Sequence, residues 1–219
     1  MLTTVRGSLP LLIGAIAVSV AAQHAPAASS PGQIWSALVA GNHRFASGKP
    51  QRRDLVARRK QLTTTQSPHV AVLSCADSRV PPELIFDQGV GDLFVVRSAG
   101  ESADPLSVGS LEYAIEHLGT TVVVVMGHQR CGAVTAACSG EKAESRNLEA
   151  VVMPIVTSCE KIDKNKPDSF DLAVRDHIHS VAQELLARSE MVKKAVDEGK
   201  LTIVEAYYSL DTGEVTKLR

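Results

Sequence analysis

The feature that most constrains the fold of this chain is the alternation of short apolar, β-branched runs with longer segments of helical periodicity. The apolar runs predict strands at 69–73, 93–96, 121–126 and 201–208. Apolar residues at helical spacing predict helices at 32–48, 52–65, 105–118, 132–138, 147–161 and 172–188. This alternation indicates an α/β fold with a mainly parallel central sheet flanked by helices. Such sheets bind ligands beyond the carboxyl ends of their strands.

The size and charge of the chain fit one soluble domain. It has 219 residues, of which 44% are hydrophobic and 21% charged, and its formal net charge is −1. That length is sufficient for one sizeable core, so we expect a single α/β domain over 29–219. Because no basic excess is present, we expect no binding to nucleic acid or to a charged membrane surface.

The first residues differ in kind from the rest of the chain. Arg6 supplies a positive charge before an apolar stretch over 9–22, and small residues follow that stretch. This pattern predicts a secretory signal peptide over 1–28, cleaved after Ala22 or after Ala27. An uncleaved anchor is the alternative, but the apolar stretch is shorter than the ~20 residues that a membrane-spanning helix needs. We therefore expect export, into the periplasm in a Gram-negative cell, and no membrane association once the signal is removed.

Two motifs carry most of the chemical information, and each follows a predicted strand. The segment 75–79 reads Cys-Ala-Asp-Ser-Arg, and the segment 127–132 reads Gly-His-Gln-Arg-Cys-Gly. Cys75, His128 and Cys131 offer two thiolates and one imidazole, which are ligands that zinc accepts. Three protein ligands leave a fourth position open, as in catalytic zinc sites, and the spacing does not match a zinc finger. The motifs therefore predict a catalytic Zn²⁺.

Asp77 and Arg79 accompany the predicted metal ligands. A zinc-bound water is acidified so that hydroxide forms near neutral pH, and Asp77 could accept a hydrogen bond from that hydroxide. The same carboxylate could instead bind the zinc as a fourth ligand and close the site. Arg79 could hold Asp77 as a bidentate partner, and such a partner influences which role the carboxylate takes.

On these two motifs the chain resembles the β-class carbonic anhydrases over 32–219. Flanking segments that resemble the same family, in the same order, lie at 40–45, 80–86 and 111–113. The resemblance implies the β-carbonic-anhydrase fold and a single catalytic domain. It also implies the reversible hydration of carbon dioxide to bicarbonate and a proton by a zinc-bound hydroxide.

The resemblance assigns roles to the residues of both motifs. It implies that Cys75, His128 and Cys131 hold one Zn²⁺ per chain and that Asp77 and Arg79 form the catalytic pair. In a closed state of the site, Asp77 would become the fourth zinc ligand.

The resemblance also extends to a substrate pocket. The residues that match pocket positions of the family are Gln66, Phe94, Ala99, Tyr113 and Gly132. In that family the Gln, Phe and Tyr come from the neighbouring subunit, which implies a homodimer or a homotetramer. Phe94 and Tyr113 also fall on core faces of their predicted elements, so packing alone is the other interpretation of these two.

Two positions depart from the family pattern. Glu101 places a carboxyl where many members carry an amide, which puts the geometry of that loop in question. Val72 stands three residues before the first cysteine ligand, where members with a regulatory bicarbonate site tend to carry Trp. The presence of Gln66 and the lack of that Trp favour an open site, with water as the fourth ligand at neutral pH.

Other functions stay open on the sequence. A non-catalytic zinc- or anion-binding protein would need a blocked fourth position or a damaged Asp–Arg pair. A thiol redox protein would fit four cysteines and export, but the chain has no Cys-x-x-Cys pair. Hydrolysis of carbon disulfide or carbonyl sulfide could use the same metal ligands.

The remaining cysteines and histidines have ordinary interpretations. Cys138 and Cys159 could be buried apolar residues, free thiols or a disulfide. His69, His177 and His179 are expected to be surface or helix residues without a ligand role.

Overall fold

The computed structural model describes residues 30–163, 165–166 and 168–219, so the predicted signal peptide lies outside the described residues. The strands are β1 Val70–Cys75, β2 Leu93–Ser98, β3 Val122–His128, β4 Thr202–Tyr208 and β5 Val215–Lys217. They form one sheet with the order β2-β1-β3-β4-β5. The first four strands run parallel, and β5 pairs antiparallel with β4.

Helices flank this sheet. In the described residues they are α1 Pro31–Ala46, α2 Leu55–Gln61, α3 Pro82–Ile85, α4 Pro105–Leu118, α5 Gly132–Ser139, α6 Arg146–Glu160, α7 Ser169–Arg188 and α8 Glu190–Asp197. Helix α1 packs against α3 and β3, α4 packs against β1 and β2, and α7 packs against β3 and β4. The predicted α/β fold with a mainly parallel, helix-flanked sheet is confirmed. No helix among the described residues is both long enough and apolar enough to cross a membrane.

The order of the strands creates a crevice at the carboxyl end of the sheet. From β1 the chain moves outward to β2, and it then returns past β1 to β3 on the other side. This reversal is a topological switch point, where open parallel sheets bind their ligands. Because Cys75 ends β1 and His128 ends β3, the fold brings both motifs to this crevice.

Strand β3 forms the centre of the core. Its four consecutive valines, at 122–125, are fully buried. Strands β1 and β4 cover its two edges, and α1 and α7 pack against it. A parallel strand that is covered on all sides needs apolar residues at every position, which is why this run has no polar alternation.

Helix α4 shows how the sequence sets an element boundary. Asp104 precedes it and accepts hydrogen bonds from the backbone N–H groups of Leu106 and Ser107, at 2.8 and 3.0 Å. Pro105 occupies the first turn, where its missing N–H costs nothing. Gly119 ends the helix with a φ of 74°, a conformation that favours glycine. The observed bounds therefore equal the predicted 105–118.

Some predicted elements differ from the observed ones. The helix expected over 52–65 covers only Leu55–Gln61, because Asp54 caps it and no residue of it is buried. Strand β2 extends to Ser98, beyond the predicted 93–96, and it is half-buried, since it lies at the edge of the sheet. Helices α3 and α8 were not predicted from the sequence. Helix α8 begins where the Ser189 hydroxyl accepts a hydrogen bond from the N–H of Val192.

A disulfide joins Cys138 of α5 to Cys159 of α6, with the Cα atoms 5.1 Å apart. It decides between the three interpretations that the sequence left open for these cysteines. Since α5 begins directly after Cys131, the bond ties the helix that follows the second motif to its neighbour.

Candidate active site

Three predicted metal ligands converge at the carboxyl end of the sheet. Cys75 is the last residue of β1, His128 is the last residue of β3, and Cys131 is the N-cap of α5. All three side chains are buried. One ligand atom from each lies within 4.8 Å of the other two, and the two sulfurs are 3.9 Å apart.

The chemistry of this set fits a zinc ion. The Nδ1 of His128 lies 2.9 Å from the carbonyl oxygen of Gln129, which can only accept, so Nδ1 carries the proton. The buried Nε2 is thereby left as an acceptor, and it has no hydrogen-bond partner among the described residues. Two thiols and one unpartnered imidazole nitrogen form a donor set of the kind zinc binds.

Backbone donors hold the sulfur of Cys75 in place. The N–H groups of Asp77 and Gly100 both donate to it, each at 3.4 Å. The hydrogen bond from the Cys131 thiol is the largest cause that lowers the pKa of Cys75, which falls to about 4 against the effect of burial, and the two N–H groups act in the same direction. The same contact raises the pKa of Cys131, which donates the shared proton. The site thus favours a thiolate at Cys75 even before a metal binds.

Asp77 and Arg79 form a bidentate pair at the mouth of the site. The guanidinium of Arg79 donates to both carboxylate oxygens of Asp77, at 2.9 and 2.6 Å. This hydrogen bonding holds the pKa of Asp77 far below its usual range. One carboxylate oxygen lies 3.9 Å from the Nε2 of His128, so Asp77 is adjacent to the ligands and already engaged by Arg79.

Comparison with known proteins identifies the family. A family model described as carbonic anhydrase matches residues 70–215. Carbonic anhydrase 2 of Mycobacterium tuberculosis is 38% identical over 192 residues, covering 84% of this chain and 91% of that protein. The carbonic anhydrase of Mycolicibacterium smegmatis is 37% identical, covering 85% and 93%. A solved β-carbonic anhydrase from Coccomyxa, in complex with acetazolamide, superposes with a TM-score of 0.68 at 24% identity, covering 84% of this chain and 85% of that one.

The chain belongs to the β-class carbonic anhydrase family. Its enzyme class is therefore carbonic anhydrase, which interconverts carbon dioxide and bicarbonate. Tetrameric β-carbonic anhydrases from Sordaria macrospora share the fold, with a TM-score of 0.67 at 20% identity, covering 84% of this chain and 96% of that one.

The predicted pocket residues of this carbonic anhydrase fall into two groups. Ala99 and Gly132 are exposed; Gly132 directly follows Cys131, and Ala99 follows Ser98, which pairs with Cys75 in the sheet. Gln66 and Tyr113 line a surface cavity of about 700 Å³ that none of the three metal ligands lines. Phe94 lies next to Tyr113, with the ring centroids 6.4 Å apart. Within one chain, the second group therefore lies apart from the converged ligands.

Contacts across the fold add residues that the motifs do not reveal. Arg97 donates from Nε to the carbonyl oxygen of Cys75 at 3.0 Å and from its terminal nitrogen to that of Asp77 at 2.6 Å. His177, expected to be a surface or helix residue, lies on α7, but it is 1% exposed and within hydrogen-bond distance of Gly100. The signal for Arg97 is its position near the end of β2, but no local pattern marks His177.

Glu101 is the departure from the family pattern with the clearest structural consequence. It is 1% exposed, and neither carboxyl oxygen has a hydrogen-bond partner among the described residues. Burial, and then the charge of Cys75, raises the pKa of Glu101 well above its usual value. Its φ of 22° is unusual for a residue other than glycine. The geometry that the sequence put in question is therefore a strained backbone at Glu101, with a buried carboxyl that favours its neutral form.

The loop between His128 and Cys131 is fixed from its outer side. The Gln129 amide donates to Asp211 at 2.8 Å and accepts from the backbone N–H of Asp211 at 3.1 Å. The backbone N–H of Arg130 donates to Asp171 at 3.2 Å, and its guanidinium pairs with Asp211. These contacts hold the side chains of both Gln129 and Arg130 on Asp211.

Proposed function

We propose that the chain hydrates carbon dioxide at one zinc ion held by Cys75, His128 and Cys131. The proposal rests on the convergence of two thiols and the unpartnered Nε2 of a buried imidazole at the switch point of the sheet. Zinc in such a site lowers the pKa of a bound water toward neutrality and thereby supplies the nucleophile.

Asp77 and Arg79 would control the fourth position. Since Arg79 engages both oxygens of Asp77, the carboxylate is ionised and held back from metal binding. In this state Asp77 can accept a hydrogen bond from the attacking water and orient it toward the substrate. The geometry favours an open site at neutral pH over the closed state in which Asp77 is a ligand.

The test is stopped-flow measurement of carbon dioxide hydration on the purified protein, with zinc content determined on the same sample. We expect fast turnover at about one zinc per chain. Cys75→Ser should lose both zinc and activity. The double variant Cys138→Ala, Cys159→Ala removes the two cysteines of the disulfide and should retain zinc, so it is the control for loss of cysteines outside the metal site. Bound zinc without hydration between pH 6 and 9 would contradict the proposal, and turnover of carbonyl sulfide on that sample would identify the sulfur chemistry instead.

We also propose that the enzyme is a homodimer or a homotetramer in which a second copy completes the substrate pocket. The support is the place of Gln66 and Tyr113, which line a cavity away from the metal ligands of their own chain. In the family that the chain belongs to, the matching residues come from the neighbouring subunit. Light scattering at micromolar concentration tests the assembly, and a fully active monomer would contradict it.

Export to the periplasm, with removal of a signal peptide over 1–28, is a further part of the proposal. The disulfide between Cys138 and Cys159 supports it, because such bonds persist in oxidising compartments and are rare in the cytosol. Expression of the full chain in a Gram-negative host, followed by osmotic fractionation and N-terminal sequencing, tests both points. Intact protein in the cytosolic fraction would contradict them.

A further inference from the structure

Gly100 connects a metal ligand to a buried histidine. It follows β2, and its backbone N–H donates to the sulfur of Cys75 at 3.4 Å. Its carbonyl oxygen lies 2.8 Å from the Nε2 of His177, which is on α7. The two contacts use neighbouring peptide groups that meet at the Cα of one glycine. Any rotation at that Cα therefore changes the direction of the N–H relative to the sulfur.

The conformation of Gly100 needs support from outside the loop. Its φ of 66° favours glycine, and an added Cβ would lie 2.7 Å from Ile155 and 2.9 Å from Ala133. Glycine is required at this position, yet it is also the residue with the most rotational freedom. Glu101 follows with a φ of 22°, so two successive residues occupy the positive-φ region. Strained backbone of this kind persists only where surrounding contacts hold it.

His177 is suited to provide that support. It is 1% exposed, and burial lowers the pKa of its imidazole, which favours the neutral form with one N–H. The carbonyl oxygen of Gly100 can only accept, so the proton is on Nε2. The other nitrogen, Nδ1, is buried and has no hydrogen-bond partner among the described residues. The single donor of the ring is thus directed at the backbone of this loop, first at Gly100 at 2.8 Å and then at Glu101.

We propose that His177 is a positioning residue of the metal centre, which holds Gly100 so that its N–H donates to the Cys75 thiolate. The inference rests on the zinc site proposed above and adds a residue to it. An N–H donor to a metal-bound thiolate withdraws charge from the sulfur and fixes its direction. Removal of a residue that hydrogen-bonds to or orients a metal ligand typically changes metal affinity or activity by ~10–100-fold.

The experiment compares His177→Leu with His177→Gln, which keeps a side-chain N–H able to reach the carbonyl of Gly100. The matched control is His179→Leu, two residues further along α7, where the ring is partly exposed and pairs with Glu205. Zinc transfer to a chromophoric chelator gives the release rate. Cobalt-substituted protein gives the energy of the thiolate-to-cobalt charge-transfer band.

We expect His177→Leu to release zinc ~10–100-fold faster and to shift the charge-transfer band to longer wavelength, because the sulfur regains charge. His177→Gln should recover most of both effects, and His179→Leu should resemble the unmodified protein. Far-UV circular dichroism confirms that each variant is folded. If zinc were lost only because the variants unfold, His177→Gln and His177→Leu would release it equally fast. The fraction of each variant that still binds cobalt would then show no shift of the charge-transfer band.

Two results would overturn the inference. One is zinc release and a cobalt band in His177→Leu that equal those of the unmodified protein, which would leave the proposed function intact. The other is an equal effect of His177→Leu and His177→Gln, which would assign His177 to packing. An unmodified protein that binds no zinc would instead refute the proposed function, and this inference with it.

Discussion

Arg79 is the residue on which the open state of the site depends most directly. Its guanidinium holds both oxygens of Asp77 and keeps the pKa of that carboxyl low. A carboxyl whose pKa is lower in the folded than in the unfolded protein stabilises the fold at any pH above its unfolded-state pKa. The contribution of Asp77 to the free energy of unfolding is therefore complete from pH 6 to 9. It is lost only as the pH falls through the folded-state pKa.

Arg79→Ala should therefore retain zinc but lose ~10–100-fold in carbon dioxide hydration, since Asp77 is no longer held away from the metal. The measurement is stopped-flow kcat from pH 6 to 9, with zinc analysis of the same samples. Arg188→Ala, which removes an exposed arginine paired with Glu184, is the control. Unchanged kcat in Arg79→Ala across that range would assign Arg79 a structural role only.

The buried carboxyl of Glu101 leads to a prediction about the stability of the fold, not about catalysis. Its folded-state pKa is raised by burial, so the folded protein holds this proton to a higher pH than the unfolded chain does. The free energy of unfolding of the unmodified protein should then fall as the pH rises above the unfolded value of 4.5. Glu101→Gln cannot ionise and should remove this part of the slope.

Urea denaturation at pH 5 and at pH 8 checks this prediction. The quantity compared between proteins is the change in the free energy of unfolding from pH 5 to pH 8. Glu116→Gln removes a surface carboxyl of α4 and serves as the control. The same loss of stability between the two pH values in Glu101→Gln and in the unmodified protein would show that the Glu101 carboxyl is not the cause.

The residues of the site differ in how far the sequence could predict them. Cys75, His128 and Cys131 follow apolar strands, and a parallel sheet brings such strand ends together whatever the loops contain. His177 reaches Gly100 across 77 positions of sequence, in a helix whose own pattern predicts only packing. Its contact depends on the tertiary placement of α7 against the loop after β2, which no local pattern encodes.

Among the elements, α5 and α6 are joined covalently as well as by packing. The disulfide between Cys138 and Cys159 closes a loop with a sequence separation of 21. A closed loop of that length stabilises a fold by about 3 kcal/mol, chiefly by restricting the unfolded chain. Because α5 begins directly after Cys131, the bond also limits movement of a metal ligand.

The double variant Cys138→Ala, Cys159→Ala should thus lose about 3 kcal/mol of unfolding free energy while it keeps zinc and most of its activity. Urea denaturation with zinc analysis is the measurement. A reductant should destabilise the unmodified protein and leave the double variant unaffected. Equal stability of the two proteins without reductant would mean that the bond adds nothing to the fold.

Elements were predictable where their periodicity was strong and their ends were marked. Helix α4 has Asp104, Pro105 and Gly119 at its ends, and its predicted and observed bounds agree. Helix α8 has eight residues and only one buried side chain, Val192. Its apolar residues, at 191, 192, 195 and 196, lie at helical spacing, but they span less than two turns, which is too short to identify a helix by pattern alone.

At the scale of the whole molecule, the surface of α4 bears on the proposed assembly. Leu106 is 84% exposed and Tyr113 is 49% exposed on this one helix, and Tyr113 lines the cavity that also contains Gln66. Exposed apolar side chains that cluster on one face mark interaction surfaces. A second copy that covers this face would bring the pocket residues of one chain toward the metal ligands of the other.

Leu106→Asp should therefore dissociate the assembly and reduce carbon dioxide hydration by more than about tenfold, because a charged residue opposes burial of that face. Its zinc content should stay unchanged, since the three ligands belong to a single chain. Light scattering and stopped-flow hydration on the same sample provide the measurement. Met153→Asp places the same charge at a residue of α6 that is 56% exposed, and it should leave both properties intact. A monomeric Leu106→Asp protein with full activity would separate assembly from catalysis, and each chain would then contain a complete pocket of its own.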